Sequence, residues 1–216
     1  MQKSSITQVP IAELIANRWS PRAFDTSKSV SQEQIIALCE AARWAPSCFG
    51  DEPWRFIVCQ KDHAQIVKSD GWQLAFNCLS ASNQTWVKNA PVLVLVCADS
   101  LFGHNQTPNR WAQYDTGAAA ENLCLQASSM GLITHQMGGF NVDAAREAFK
   151  IPAQIVPMAM ISIGYEGNAD LLPDDLKARE LAARKRKPFN ALFFSQAWNS
   201  NLESAIGIKQ AIDVKP

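Results

Sequence analysis

The sequence predicts a mixed domain of helices and strands, because segments with helical spacing of apolar residues and short β-branched runs alternate irregularly along it. Its 216 residues indicate one large domain or two very small ones, and no Gly/Ser-rich or Pro-rich linker divides the chain. Apolar residues make up 47%, enough for a sizeable core. Charged residues make up only 19%, below the usual ~25%. One explanation is that another subunit covers part of the surface.

Charge and hydropathy exclude several classes of protein. Twenty basic and twenty acidic side chains give a formal net charge of zero, so no overall field favours nucleic acid or an anionic membrane. The longest apolar run, Val92–Ala98, is far shorter than the ~20 residues that span a bilayer. Residues 1–17 lack the apolar segment of a secretory signal. We therefore expect a soluble, cytoplasmic protein that binds neither nucleic acid nor membrane.

The cysteines and histidines indicate no metal site. The six cysteines are widely spaced without a C-x-x-C pair, and the three histidines are equally scattered (His63, His104 and His135). In an intracellular chain of this length such thiols are reduced and mostly buried, so we predict neither a disulfide framework nor a bound metal.

Two helices are predicted in the first fifth of the chain. Residues Ile6–Asn17 carry apolar side chains at helical spacing, and Pro10 stands where a first turn tolerates proline. Ser31-x-x-Gln34 resembles a capping box. It predicts a helix that must end before Pro46.

The later elements follow from composition. Two β-branched-rich runs bounded by turn formers predict buried strands, Trp54–Gln60 and Val92–Ala98. The Ala-rich segment Thr116–Met130, with a glycine after it, predicts a long buried helix. We expect a helix over Val142–Phe149 and a strand over Met158–Gly164. No strand precedes a Gly-rich phosphate loop, which excludes the dinucleotide-binding and P-loop fingerprints.

Two segments near the amino terminus carry candidate ligand-binding residues. The side chains of Arg18, Ser20 and Arg22 can converge on one anion; the alternative is a solvated helix end. Residues 45–55 concentrate turn formers between a helix and a strand, so the backbone makes a shaped loop where Ser47 offers a hydroxyl and backbone donors. The alternative is an ordinary connection.

A third segment, Arg184-Lys-Arg-Lys-Pro188, places four cations in a row. It indicates phosphate binding, nucleic-acid contact or a solvated run, and the zero net charge makes nucleic acid the weakest of the three. Together, cations from both ends of the chain can neutralise a phosphate, and a nucleotide-like cofactor is one reason for a fold to bring them together.

A series of motifs completes this pattern from about Ile11 to Phe194. In order they are Arg18-x-Ser20-x-Arg22, Ala45-Pro46-Ser47 with Pro53-Trp54-Arg55-Phe56, Asn83 before Ala90-Pro91-Val92, Asp115-x-Gly117, Gly131-Leu132, Met137-Gly138-Gly139-Phe140, Ile163-Gly164-Tyr165 and Arg184-x-Arg186-x-Pro188. In this order the sequence resembles the FMN-dependent nitroreductases, the NAD(P)H nitroreductase/flavin reductase group. The resemblance implies a single domain over residues 1–216 with an α+β fold of three layers, a mixed β-sheet flanked by helices, made as an intimate homodimer. It also implies that a carboxyl-terminal tail, about residues 189–216, wraps the partner subunit.

The resemblance implies an FMN site that both subunits build, with no catalytic side chain, because the flavin does the redox chemistry. The implied FMN-binding residues are Arg18, Ser20, Arg22, Arg184 and Arg186 at the phosphate, Pro46, Ser47, Cys48 and Gly50 on the loop, Asn83 at the ring edge, and the backbone of Met137, Gly138 and Gly139 along the ring.

The sequence departs from the family pattern around the predicted ring. Cys48, Gly50 and Glu52 stand where the family has Ser, Asn and Gln, and Gly138 stands where it often has Glu. The added carboxylates of Asp51 and Glu52 either repel an anionic substrate or face solvent. Because the phosphate clamps are intact, we expect FMN binding to survive and substrate preference to change.

The activity implied by the resemblance is hydride transfer from NADH or NADPH through flavin N5 to a nitroaromatic, a quinone or a related small oxidised acceptor, by a ping-pong mechanism. Residues 100–111 are interpreted as a mobile lid over the substrate or as a variable surface loop. Flavin-dependent dehalogenases, enoate-type reductases and peptide azoline oxidases on the same scaffold are alternatives. A non-catalytic FMN-binding or storage protein is another.

Overall fold

The computed structural model describes residues 3–61 and 71–202. His63 and residues 203–216 of the predicted tail therefore lie outside the described chain. The helices are α1 Glu13–Asn17, α2 Gln32–Arg43, α3 Gly71–Cys78, α4 Ala81–Val87, α5 Ala112–Ser129, α6 Val142–Ala148 and α7 Asp174–Leu181. The strands are β1 Trp54–Gln60, β2 Val92–Asp99, β3 Ile133–Met137 and β4 Ile155–Gly164.

The four strands form one sheet in the order β1-β2-β4-β3. All three pairings are antiparallel, with Val94 of β2 opposite Val58 of β1 and Ile161 of β4. The expectation of a mixed sheet is therefore wrong for the described strands. A parallel pair needs a crossover that returns the chain to the end where the first strand began. The connection through α6 instead starts β4 at the end where β3 finishes.

Helices cover both faces of the sheet, which confirms the three-layer α+β fold. The alternation of side chains along β2 shows the two faces directly. Leu93, Leu95 and Cys97 enter a core shared with α3 and α4, whereas Val92, Val94 and Val96 enter a second core shared with α2 and α5. Because β2 is buried on both sides, it appears in the sequence as a continuous apolar run.

The predicted amino-terminal helix is mostly wrong. Only Glu13–Asn17 is helical, and this helix contains no buried residue. The apolar side chains before it are exposed, with Ile6 at 92%. Periodicity alone cannot hold a short helix without a core to pack against. The Ser31–Gln34 capping box is confirmed in both directions, with the Gln34 amide donating to Ser31 Oγ at 3.2 Å and the Ser31 amide donating to Gln34 Oε1 at 2.9 Å.

The described segments contain no helix with an apolar stretch long enough to cross a membrane.

Candidate functional site

The first arginine segment lies along the edge strand β3. The helix α1 ends at Asn17 and the backbone turns extended at Arg18. Farther on, His135 of β3 meets the carbonyl oxygen of Pro21 through its Nδ1 atom at 3.0 Å. This contact fixes the segment against the sheet between its two arginines.

Cations from both ends of the chain converge here, as the sequence predicts. Arg184 follows α7 and donates from one guanidinium nitrogen to the carbonyl oxygens of Lys3 at 2.8 Å and Ala16 at 2.6 Å. Burial lowers the pKa of Arg184, and the charges of Arg186 and Arg18 lower it further. A cluster of like charges is unfavourable unless anions balance it. That this anion is a cofactor phosphate stays a prediction.

Two acidic side chains supply part of that balance. Arg18 Nε lies 3.2 Å from Glu121 Oε1 of α5, and Arg22 lies 3.6 Å from Glu180 Oε2 of α7. The arginine side chains remain 18% and 23% exposed, and each keeps further guanidinium N–H groups. The hydroxyl of Ser20 makes no hydrogen bond within the described chain. Donors for an incoming anion are therefore present.

Aromatic rings form the inner wall of this cluster. The ring centroids of His135 and Trp86 lie 4.7 Å apart, and the guanidinium carbon of Arg22 lies 6.0 Å from the Trp86 ring centroid. Burial lowers the pKa of His135 to about 4, and the nearby positive charge of Arg22 adds to this. The imidazole is therefore neutral at pH 7. Because a carbonyl oxygen only accepts, Nδ1 carries the proton that His135 donates to Pro21.

The predicted ring end of the site lies at the far end of β3. After Met137, the turn at Gly138 and Gly139 meets the start of α4, where the Asn83 amide nitrogen donates to the Gly139 carbonyl at 3.0 Å. A Cβ atom on Gly139 would lie 2.8 Å from Asn83 Nδ2 and 3.0 Å from Ser80 Oγ, so a side chain here would displace the Asn83 amide. A Cβ on Gly138 would meet nothing, so this turn leaves open space beside the backbone.

The arginine cluster and the glycine turn are separated by a distance that suits a flavin mononucleotide. Three residues of strand, from His135 to Gly138, span about 10 Å, comparable with a ribityl phosphate chain. The helix α4 ties the ends together, since Asn83 and Trp86 are three residues apart and share one helix face. The donors, the cradle at Gly139 and the spacing together fit FMN.

The loop of Pro46, Ser47, Cys48 and Gly50 lies elsewhere in the chain. It precedes β1, at the sheet edge opposite β3, about 14 Å away across three strand spacings. The amide of Cys48 donates to the buried Asp115 carboxylate of α5 at 2.9 Å. Within the described chain, no hydrogen bond, ion pair or ring contact joins this loop to the arginine cluster. The thirteen predicted cofactor residues therefore form two groups in one chain.

Asp51 joins this loop to residues 100–111. Its carboxylate accepts hydrogen bonds from the Gly103 amide at 2.8 Å and from the side chain of the buried Asn109 at 3.3 Å. The sequence predicts that Asp51 either repels a substrate or faces solvent. Neither alternative includes this structural role. Phe49 reinforces the junction, with its ring 5.8 Å from the Phe102 ring.

Sequence reasoning missed the acidic partners of the site. Glu121 and Glu180 lie in helices where acidic residues are ordinarily solvated, and their partners are distant in sequence. A local pattern carries no signal for such contacts. The sequence presents His135 as one of three scattered histidines, whereas its position on β3 places it at the arginine end of the site.

Several known proteins are similar to this chain in sequence or fold. A sequence model described as the Nitroreductase family matches residues 15–165. A protein of Methanothermobacter thermautotrophicus, provisionally named an NADH dehydrogenase/NAD(P)H nitroreductase, is 29% identical over 178 residues, which cover 79% of this chain and 86% of that protein. A crystal structure described as an oxidoreductase containing FMN is 33% identical, with a TM-score of 0.82, and the match covers 91% of this chain and 96% of that one. A provisionally named nitroreductase of Desulfovibrio desulfuricans, solved with FMN, shares the fold at 22% identity with a TM-score of 0.65, over 89% of this chain and 99% of that one.

Proposed function

The chain belongs to the nitroreductase family, and we propose that it is an FMN-dependent oxidoreductase that uses NADH or NADPH to reduce a nitroaromatic, a quinone or a related small oxidised acceptor. The carrying observation is the cluster of Arg18, Arg22 and Arg184 about 10 Å along β3 from the glycine turn. FMN held here would supply the redox chemistry, which is hydride transfer from the nicotinamide and reduction of the acceptor.

The residues of the chain hold and orient the cofactor. The guanidinium groups of Arg18, Arg22 and Arg184 neutralise its phosphate, since charge-assisted and bidentate hydrogen bonds are the strong ones. Arg186, whose described hydrogen bond goes only to the neighbouring Lys185 carbonyl, is free to turn toward the same phosphate. The backbone of Gly138 and Gly139 approaches the ring closely because neither has a side chain. No proton transfer by a side chain is required.

The loop of Pro46, Ser47, Cys48 and Gly50 belongs, in this proposal, to the site of a second copy of the chain. Within one chain it lies at the wrong edge of the sheet for the arginine cluster. Large aromatic side chains near it are exposed, Trp44 at 77%, Phe49 at 82% and Tyr114 at 80%. Exposed apolar surface of this kind is typical of a subunit interface. A homodimer covers it and brings each loop to the partner's cofactor.

The tail after Pro188 supports the same arrangement. Phe193 is 48% exposed and Trp198 is 82% exposed, so the tail presents apolar rings without burying them in its own chain. We infer that the described part of this tail, residues 189–202, wraps the partner subunit. Sedimentation at micromolar concentration tests this directly, and a monomer would contradict it.

Cofactor binding is tested by the visible absorbance of the purified protein and mass identification of what heat releases. We expect stoichiometric FMN. Arg18→Ala should weaken FMN binding by about 10–100-fold, the equivalent of a charged hydrogen bond. Arg43→Ala is the matched control, because Arg43 lies on the surface, where it pairs with its helix neighbour Glu40 and packs over the adjacent Trp44 ring. A colourless protein that takes up no added FMN would overturn the proposal.

The reaction is tested by steady-state kinetics with NADH and NADPH against a quinone, a nitroaromatic and a halophenol. A shared site for donor and acceptor predicts parallel double-reciprocal lines. Intersecting lines would contradict a ping-pong mechanism. Turnover of the halophenol alone would favour a dehalogenase, and reduction of no acceptor would favour an FMN-storage protein.

A further inference from the structure

The side chain of Glu180 at the end of α7 is buried and directed at the first arginine segment. The residue is 3% exposed. Its Oε1 atom accepts hydrogen bonds from the backbone amide of Arg22 at 2.7 Å and from that of Ala23 at 3.1 Å. A buried carboxylate is costly unless hydrogen bonds and opposite charge compensate for it. Two backbone amides and one guanidinium supply that compensation here.

The second oxygen faces the arginine itself. Glu180 Oε2 lies 3.6 Å from an Arg22 guanidinium nitrogen and has no hydrogen bond within the described chain. The ion pair is therefore long, and Oε2 can still accept a hydrogen bond. The guanidinium retains its other N–H groups for an anion, while the backbone of the same residue is held firmly.

The backbone of Glu180 is fixed in turn. The ammonium group of Lys3 donates to the Glu180 carbonyl oxygen and to that of Ala182, the latter at 2.6 Å. Four residues after Glu180, Arg184 enters the same cluster. The end of α7 thus connects the two arginine segments, which are more than 150 residues apart in the sequence.

We propose that Glu180 is a positioning residue for the cofactor phosphate, holding the Arg22 backbone so that its guanidinium meets the phosphate together with Arg18 and Arg184. This rests on the proposed FMN site. A positioning role predicts selectivity for a phosphorylated flavin, because riboflavin has the same ring but no phosphate for Arg22 to contact. Glu180 therefore sets the ratio of FMN affinity to riboflavin affinity.

The test compares binding of FMN and riboflavin to the cofactor-stripped full-length protein by quenching of flavin fluorescence. Glu180→Ala should weaken FMN binding about 10–100-fold, as expected for loss of hydrogen bonds to a charged group. Riboflavin binding should change less than about threefold. Glu180→Gln keeps an oxygen acceptor for both amides and should restore most of the FMN preference. Asp174→Ala, which removes an exposed acid from the same helix, should leave the ratio unchanged.

A double-mutant cycle identifies the residue through which Glu180 acts. In an Arg22→Ala background, Glu180→Ala should reduce the ratio little further, because residues that act as a unit are not additive. If Glu180→Ala does not fold, Glu180→Asp, which withdraws the carboxylate by one methylene, takes its place with the same expected selectivity loss. Equal losses for FMN and riboflavin, an additive cycle, or a Gln variant as weak as Ala would overturn the inference. A wild-type protein that binds neither flavin would instead overturn the proposed function.

Discussion

Acid should destabilise this protein through His135, whose neutral form the fold requires. The pKa of His135 is lowered from 6.5 to about 4, chiefly by burial and then by the charge of Arg22. The unfolded chain therefore binds a proton at this residue throughout a pH range in which the folded chain does not. By linkage, the stability contributed by His135 is fully present above pH ~6.5 and is lost as the pH falls toward ~4.

The size of the effect follows from the two pKa values. They differ by about 2.5, and each step of one corresponds to about 1.4 kcal/mol. The loss of unfolding free energy reaches about 2 kcal/mol at pH 5 and about 3 kcal/mol at pH 4. This is a large fraction of the ~5–15 kcal/mol that stabilises a typical domain.

The comparison that isolates this residue is with His135→Gln. A glutamine amide can donate to the Pro21 carbonyl, as the imidazole does, but does not titrate. Both proteins are stripped of cofactor and unfolded with urea between pH 7.5 and 4, because a phosphate bound at Arg22 would itself change the pKa of His135. Every other titrating group then contributes equally to both proteins. The wild type should lose about 3 kcal/mol relative to the variant over this range. Parallel pH profiles would refute the reasoning.

Two further predictions concern the loops. Asp51→Ala removes the acceptor of the Gly103 amide and of the Asn109 side chain. It should lower the free energy of unfolding by about 1–3 kcal/mol and speed hydrogen exchange at the Gly103 amide, whereas Asp51→Asn should lose less stability. Unchanged exchange would show that Asp51 does not anchor this loop. Gly167→Ala places a Cβ 2.5 Å from a backbone atom of Phe24. Such overpacking should lower the free energy of unfolding by about 1–3 kcal/mol, and in a chain of this size each kcal/mol lowers Tm by roughly 2–4 °C. A Tm equal to that of the wild type would contradict the close approach.

The parts of the fold that the sequence predicts are those with a local cause. The predicted bounds of β1 match the structure, and β2 differs only by the added Asp99, because an apolar run between turn formers has few other solutions. The helix over 6–17 fails because its apolar residues find no core to pack against. The helices α3, α4 and α7 and the short strand β3 were not predicted.

The part of the site that the sequence predicts is the part made of positively charged side chains. Arg18, Arg22 and Arg184 lie close together in the structure. Few arrangements other than an anion-binding site place three arginines together. Their acidic counterparts were not predictable, since Glu180 lies 158 residues from Arg22 and belongs to a helix that is otherwise largely charged. Only the three-dimensional packing identifies which of twenty acidic side chains is buried against the cluster.

The loop after α2 gives the strongest structural argument for a second copy of the chain. Phe49 has a φ of 57°, and the residue is 82% exposed. A bulky residue in the left-handed region is strained, and such strain persists only where the surroundings impose it. Here the Asp115 bond to Cys48 and the Asp51 bond to Gly103 impose it from both sides. These bonds hold an exposed aromatic side chain in one fixed conformation, and in the proposed homodimer that side chain packs against the partner.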